Sequence, residues 1–207
     1  MDEGSELLLE NLVSQWRGEG DYRRADGAMF ICKTEHGAFL HELYAPATAT
    51  QIETMSAALG FACPESVRAL FSRHNGARLF DNSILIFAVV DEVIRGANVE
   101  AAQSVSLLDE LQLFRAMHLP LWNAGWRPLG SIVVETRWKI LVNHRGEIRV
   151  AKTRGKMPNL SFVGIMPCLA AVSRIFGESF STEGVRVHSH RRIEMEVRTA
   201  FGQLAGP

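Results

Sequence analysis

The chain has 207 residues, 47% of them hydrophobic and 22% charged, a composition typical of globular proteins. Its formal net charge of −1 predicts no general attraction to nucleic acid or to an anionic membrane. No apolar run approaches the roughly 20 residues of a membrane-spanning helix, and the acidic start does not resemble a signal peptide. The three cysteines lie far apart, which argues against a disulfide framework or a zinc module. These features predict a cytoplasmic protein.

The first part of the chain predicts a helix followed by a hairpin. Residues 5–16 place leucines and a tryptophan on one helical side, with Ser5 as the N-cap. Residues 17–27 are charged and contain three glycines, which indicates a loop. The apolar stretches 28–32 and 38–43 then predict two strands, with Gly37 in the turn between them.

Residues 50–90 carry the strongest structural pattern, which begins with a helix. Thr50 and Glu53 have the spacing of a capping box, in which each side chain accepts a hydrogen bond from a free backbone N–H. Ile52, Met55 and Leu59 fall on one face of this helix. Gly60 stands where a left-handed residue ends the helix.

A second helix and a buried strand follow. Pro64 suits the first turn of this helix, because its missing N–H is not needed there. The pattern i, i+3, i+4, i+7 then predicts a buried stripe formed by Val67, Leu70, Phe71 and His74. Asn75 and Gly76 end the helix. Residues 84–90 are apolar and rich in Ile and Val, which predicts a central strand covered on both faces.

The second half alternates helices and strands. Ser106 caps a helix that Pro120 ends, and three strand-like runs cover residues 131–134, 138–142 and 147–151. Arg149 and Lys152 are expected to face solvent. A helical pattern over 160–176 contains Pro167, so the helix either begins near this residue or kinks there. Residues 185–187 alternate as in a short strand, and a final helix contains Ile193, Val197, Ala200, Phe201 and Leu204.

Several residues could carry chemistry, but each has a simpler interpretation. His36 and His41 titrate near neutral pH, yet a polar hairpin surface explains them. Cys63 near a helix start could have a lowered thiol pKa, yet a small buried side chain is the simpler interpretation. His74 is expected to cap a helix C-terminus.

Metal and phosphate sites are not predicted. His188 and His190 would share one face of a strand, but no nearby residue completes a metal site, so exposed tail residues are expected. The sequence contains no G-x-S-x-G motif and no glycine-rich phosphate loop. No catalytic residue, metal or cofactor is predicted.

Residues 137–156 are locally basic, with seven Lys or Arg residues and one Glu. Nucleic-acid contact is conceivable because Trp138 lies among them, but alternating charge on a half-exposed sheet explains the pattern better. The same face could instead bind an acidic protein partner. Trp122 and Trp126 could anchor a protein partner or be buried in the core. The candidate binding residues are Trp122, Trp126, Arg137, Trp138 and Lys139.

The central pattern resembles the SUKH superfamily, also called the SMI1/KNR4 family. The resemblance rests on residues 59–66, Leu70-Phe71, residues 74–77 with Leu79-Phe80, and the later stretch 126–130. Gly60, Pro64, Asn75 and Gly76 match motif positions with structural roles. Cys63 stands where Leu is usual, residues 131–137 lack the usual Gly and Asp, and Pro167 interrupts the last family helix.

The resemblance implies a single α+β domain with a mixed, mainly antiparallel sheet and helices packed around it. It covers residues 50–177, with a helix and hairpin extension at 1–49 and a C-terminal extension at 178–207. It implies a non-catalytic immunity protein that neutralises a cognate bacterial toxin by direct binding, without nucleic acid or membrane as partner. A scaffold of the SMI1/KNR4 type is the alternative, followed by a hydrolase that uses His36, His41 or Cys63.

Overall fold

The computed structural model describes residues 9–90, 105–152 and 161–202. In these residues one nine-stranded antiparallel sheet is surrounded by seven α-helices, which confirms the predicted α+β class. The strand order in the sheet is the order of the strands in the chain, so each strand pairs with its neighbours in sequence. The one parallel pairing among these residues is an isolated bridge between Ala88 and Ser106.

The strands are β1 (Tyr22–Arg23), β2 (Met29–Lys33), β3 (Phe39–Leu43), β4 (Ala77–Leu79), β5 (Ile84–Ile86), β6 (Arg127–Val133), β7 (Arg137–Val142), β8 (Glu147–Lys152) and β9 (Phe162–Val163). The helices are α1 (Leu9–Leu12), α2 (Ala49–Leu59), α3 (Glu65–Phe71), α4 (Leu107–Met117), α5 (Leu119–Asn123), α6 (Ile165–Gly177) and α7 (His190–Gly202). A 3-10 turn (Ser14–Trp16) follows α1.

The predicted hairpin is confirmed as β2 and β3, which pair with Ile31 opposite His41. Gly37 in its turn has φ 79°, a backbone conformation that glycine adopts without strain. The predicted loop 17–27 is interrupted by β1, whose two residues pair with β2. This strand is too short for an alternating pattern to mark it in the sequence.

The first helix of the central pattern is present, but its cap lies two residues earlier than predicted. The Thr48 side chain accepts a hydrogen bond from the Gln51 N–H, and the Gln51 side chain accepts one from the Thr48 N–H. The predicted box of Thr50 and Glu53 is therefore wrong, since Thr50 already lies inside α2. Gly60 ends α2 with φ 77°, as predicted.

The second helix begins one residue later than the sequence indicates. Pro64 has extended backbone angles at the N-cap position, and α3 starts at Glu65. The predicted stripe of Val67, Leu70, Phe71 and His74 is buried, which confirms the pattern. The helix itself ends at Phe71, before Asn75 and Gly76.

Asn75 connects the turn after α3 to the chain after β5. Its side-chain amide donates to the Val89 carbonyl at 2.7 Å, and its carbonyl accepts from the Val89 N–H at 2.8 Å. Gly76, with φ 89°, then leads directly into β4. The Asn-Gly pair therefore positions the centre of the sheet as well as the turn.

β5 lies in the middle of the sheet, between β4 and β6, and is buried as predicted. It covers three residues, fewer than the predicted 84–90, because the chain leaves the ladder after Ile86. Gly130 of β6 lies opposite Ile86 of β5. A Cβ atom at Gly130 would lie 2.4 Å from the Leu85 carbonyl oxygen, so this close approach requires glycine.

Helices cover both faces of the sheet, as neighbouring residues of β7 show. Trp138 donates to Glu194 of α7, whereas Lys139 pairs with Glu110 of α4. Because successive strand residues point to opposite faces, α7 and α4 lie on opposite sides of the sheet. α6 lies beside α7, and α5 lies beside α4.

The three strand-like runs of the second half are confirmed as β6, β7 and β8, with residues 143–146 as the β7–β8 turn. Ser106 caps α4 by accepting from the Asp109 N–H, as predicted. Pro167 lies in the first turn of α6, so the helix begins near Pro167, at Ile165.

The predicted strand at 185–187 is wrong, since only an isolated bridge between Phe180 and Arg186 forms there. The final helix is present as α7, with Ile193, Val197 and Phe201 buried. Ser5, residues 156–159 and Leu204 lie outside the described residues.

The sheet continues across the predicted boundaries of residues 50–177. β3 of the predicted N-terminal extension pairs with β4, and α7 of the predicted C-terminal extension packs against the sheet through Glu194. The described parts of the three segments therefore share one sheet and one core. That residues 50–177 form a SUKH-like unit stays a prediction.

Candidate functional site

The five candidate binding residues do not lie on one surface. Trp138 is buried on the α7 side of the sheet, where its indole N–H donates to Glu194 at 3.3 Å. Trp126 packs on the α4 side, in a cluster with Phe114 and Leu141. Trp138 therefore cannot join the other four in one contact surface, because neighbouring strand residues point to opposite faces.

On the α4 side, two tryptophans stack with three arginines. The Arg127 guanidinium carbon lies 3.5 Å from the ring centre of Trp122, and that of Arg115 lies 5.6 Å away. The Arg149 carbon lies 4.9 Å from the ring centre of Trp126. We call these residues the Arg–Trp cluster: Arg115, Trp122, Trp126, Arg127 and Arg149.

Arg127 holds this cluster in place. Its guanidinium donates to the carbonyls of Leu59, Trp122 and Trp126 at 2.8–2.9 Å. Burial, followed by the nearby charge of Arg115, lowers the pKa of Arg127. Arg127 therefore connects the end of α2 to the start of β6 and acts as a structural cation.

Arg149 and Lys152 are only half-exposed, in contrast to the prediction. The Arg149 side chain covers Trp126, and Lys152 lies over Trp138 with an ion pair to Glu194 at 3.1 Å. Both are on β8 beside large aromatic rings of neighbouring elements, and their aliphatic stems cover apolar surface.

Lys139 is also buried, although the sequence predicts a half-exposed basic sheet at this position. It is 6% exposed and pairs at 2.5 Å with Glu110 of α4, which is 8% exposed. Burial lowers the pKa of Lys139, while the hydrogen bond and charge of Glu110 oppose this effect. The pair connects β7 to α4 across the sheet–helix interface.

A small cavity of about 140 Å³ opens beside this pair. We call it the α4 cleft. It is lined by Glu110, Leu113, Phe114, Met117, His118, Arg137 and Lys139. Leu113 and Met117 are 49% and 61% exposed, and Leu119 just beyond them is also exposed. Phe114 connects the cleft to the Arg–Trp cluster, since it also packs with Trp126.

A second buried carboxylate, Glu194, lies on the opposite face. It accepts hydrogen bonds from the Thr136 hydroxyl, the Trp138 indole and the Arg198 guanidinium, and pairs with Lys152. Burial acts to raise the pKa of Glu194, but these donors outweigh it and lower the pKa to about 2. This group fixes α7 on the sheet, because it accepts from the sheet residues Thr136, Trp138 and Lys152.

The alternative catalytic residues occupy unrelated positions. His41 is fully buried between Trp16 and Phe80, so its prediction as surface is wrong, and burial lowers its pKa to about 3. Cys63 is buried as predicted, and burial raises its thiol pKa to about 11. His36 is exposed in the β2–β3 turn.

The remaining histidines do not form the predicted arrangements. His74 is not a helix cap, because its ring contacts the Tyr44 carbonyl at 3.2 Å and the Glu10 carboxylate at 2.9 Å. His188 precedes α7, whereas His190 is its first residue and contacts Arg186. Within residues 9–90, 105–152 and 161–202, no group of three or more His, Cys, Asp or Glu side chains is placed to hold a metal ion.

Sequence reasoning missed Glu110 and Glu194, although a signal for each exists. Glu110 falls on the i, i+3, i+4, i+7 stripe with Leu107, Leu111 and Phe114. Glu194 follows Ile193 on the buried side of α7. A carboxylate on an apolar helix face implies a buried partner, but the sequence does not identify that partner.

Comparison of the chain with models of known protein families, with curated proteins and with solved structures finds no match. The resemblance to the SUKH superfamily therefore stays a prediction. No described helix combines the length and the apolar character needed to cross a bilayer.

Proposed function

We propose that this chain is a non-catalytic protein-binding module, and specifically an immunity protein that neutralises a cognate bacterial toxin by direct binding. The observation that carries this proposal is the surface around α4 and α5. There the exposed side chains of Leu113, Met117 and Leu119 lie beside Arg115 and Arg137. Neither arginine has an ion-pair partner among the described residues.

This combination of residues is favourable for protein recognition. Met, Trp and Arg are enriched in protein interfaces, because their large side chains bury much area and still make directed polar contacts. Trp122 is half-buried and held by Arg127, so its position is preorganised. A partner that covers Met117 and Leu119 would gain apolar burial at little cost in ordering this part of the surface.

The specific role as an immunity protein is supported by the motif resemblance of residues 50–80. Direct blocking of a toxin needs a stable surface and no catalytic group. The burial of His41 and Cys63 supports the binding role over the hydrolase alternative, because a catalytic side chain needs access to its substrate. The proposed location is the cytoplasm, where the three free cysteines would stay reduced.

A rescue assay tests the proposal. The C-terminal domain of the polypeptide encoded beside this chain is expressed in a sensitive host, and survivors are counted with and without this chain. We expect restored growth and a one-to-one complex that co-purifies. A toxic domain that this chain leaves untouched would contradict the immunity role and favour the scaffold of the SMI1/KNR4 type.

Two methionines provide a matched comparison for the surface. Met117→Lys changes the proposed interface, whereas Met195→Lys changes a residue of similar exposure, 55% against 61%, on α7 across the sheet. We expect Met117→Lys to weaken the complex at least about tenfold, about 1.4 kcal/mol, and Met195→Lys to leave it unchanged. Equal affinities of the two variants would place the interface elsewhere.

A further inference from the structure

We propose that the α4 cleft receives an acidic side chain, Asp or Glu, of the protein partner. This inference rests on the proposed function, because it specifies the chemistry at the centre of that interface. It follows from three properties of the cleft: unused hydrogen-bond donors, a volume that suits one side chain, and an excess of positive charge.

The donors belong to Lys139 and Arg137. The ammonium group of Lys139 has three N–H donors, and Glu110 accepts from it at 2.5 Å. No other hydrogen-bond acceptor contacts this ammonium group among the described residues. Arg137 lies two residues earlier on β7, hence on the same face, and is exposed with five N–H donors. A carboxylate accepts hydrogen bonds only, so it suits this pair of cations.

The volume limits the occupant. About 140 Å³ is less than half of the roughly 300 Å³ at which small-molecule pockets begin. Phe114 and the exposed Leu113 and Met117 form apolar walls beside the donors. When a partner covers these walls, water is excluded, and the hydrogen bonds to the carboxylate become stronger than at an open surface.

The charge of the cleft favours an anion. Lys139 and Glu110 neutralise each other, and Arg137 adds one positive charge that the described residues do not balance. His118 is the remaining titratable group in the lining. A nucleic-acid backbone is the poorer occupant, because it needs a continuous basic groove, and here Glu110 stands inside the cleft with Asp109 beside it on α4.

The first experiment uses the isolated full chain and propionate, which has the carboxylate and methylene groups of a glutamate side chain. The methyl resonances of Met117 and Leu113 are followed by NMR during the titration. We expect saturable shifts in the wild type. Arg137→Gln should raise the dissociation constant of propionate at least about fivefold, and Arg145→Gln should leave it unchanged. Arg145 is an exposed arginine in the turn at the far end of β7, so it controls for the lost charge.

Two outcomes would overturn the inference whatever the fate of the proposed function. The shifts do not saturate, or they are equal in Arg137→Gln and Arg145→Gln.

Lys139→Met combined with Glu110→Gln gives a second variant. It removes both buried charges together and so avoids a lone buried ion. We expect this variant to fold and to lose the saturable shifts, whereas retained shifts would exclude Lys139 as a donor.

The second experiment uses the toxin domain of the rescue assay. We expect Arg137→Glu to abolish rescue, and one Asp→Lys or Glu→Lys change in the toxin domain to restore it. Restored growth would identify the inserted residue. If no such change restores rescue although the wild type rescues, the inference fails and the proposed function stands. If the wild type fails to rescue while propionate saturates the cleft, the proposed function fails and the cleft binds a free carboxylate.

Discussion

His41 shows how strongly a buried position can change the properties of one side chain. Its ring centre lies 5.1 Å from that of Trp16 and 4.8 Å from that of Phe80. Its Nδ1 accepts a hydrogen bond from the Phe80 N–H at 3.4 Å, which places the imidazole proton on Nε2. Burial without a compensating charge lowers the pKa to about 3, so the ring stays neutral at pH 7.

This environment predicts a loss of stability in mild acid. In the unfolded chain the pKa of His41 returns to about 6.5, so below that pH the unfolded state binds a proton that the folded state does not bind until about pH 3. The contribution of His41 to the free energy of unfolding should fall by about 1.4 kcal/mol per pH unit in this range. Urea unfolding between about pH 6.5 and pH 4.5 measures the slope.

His41→Leu should flatten this slope, and His36→Leu should not, because His36 is exposed in a turn. The lower end of this range reaches the ordinary pKa of 4.5 of Glu194, whose contribution begins to fall there and is lost as the pH falls toward about 2. The slopes are therefore compared above about pH 5. An unchanged slope in His41→Leu would show that His41 is solvated in solution.

The buried polar residues also mark the limit of prediction from sequence. His41 alternates with apolar neighbours in β3, but its burial depends on Trp16 and Phe80, which come from distant parts of the chain. Glu110 meets Lys139 only after α4 packs on the sheet. Local patterns describe which side of an element is apolar, whereas these contacts depend on how the elements pack.

At the scale of elements, local signals predicted most helix and strand positions. Gly37 and Gly60 mark a hairpin turn and a helix end because their positive φ angles are a local requirement. Local patterns do not determine the start of α2, because Thr48 and Thr50 each have an amide or carboxylate side chain three residues later. The choice of Thr48 has a tertiary cause: Gln51, the partner in its box, also donates to the Val89 carbonyl.

The two threonines provide a direct test of this cap. Thr48→Ala should lower the free energy of unfolding by about 1 kcal/mol, because the Gln51 N–H loses its acceptor. Thr50→Ala is the matched control, since it changes an exposed residue within α2 and should cost less than about 0.5 kcal/mol. Chemical unfolding of both variants measures the difference, and a larger loss in Thr50→Ala would contradict the position of the cap.

At the scale of the whole molecule, the sheet combines segments that the motif pattern separates. The resemblance covers residues 50–177, but β1, β2 and β3 lie before it and α7 lies after it. The boundaries could not be predicted from composition, because the pairing of β3 with β4 leaves no signal in either strand alone. The turns of the motif lie only in the middle of the sheet.

A fragment of residues 50–177 should therefore fail to fold on its own. It would expose the edge of β4 and lose Trp16, Leu43 and Phe201 from the core. We expect poor NMR dispersion and no cooperative thermal transition, whereas a fragment of residues 9–202 should show both dispersion and cooperativity. A cooperative transition in the shorter fragment would show that the flanking segments are dispensable additions.

The order of the strands has a consequence for synthesis on the ribosome. Because each strand pairs with the one before it, every new strand meets a partner that has already left the exit tunnel. Two strand-to-strand connections contain helices, α2 and α3 between β3 and β4, and α4 and α5 between β5 and β6. The sheet can thus grow in one direction, since the cost of closing even these two long connections rises only slowly with their length. Among the described elements α7 emerges after the strands, and its Glu194 then binds Thr136, Trp138 and Lys152 of a sheet that is already assembled.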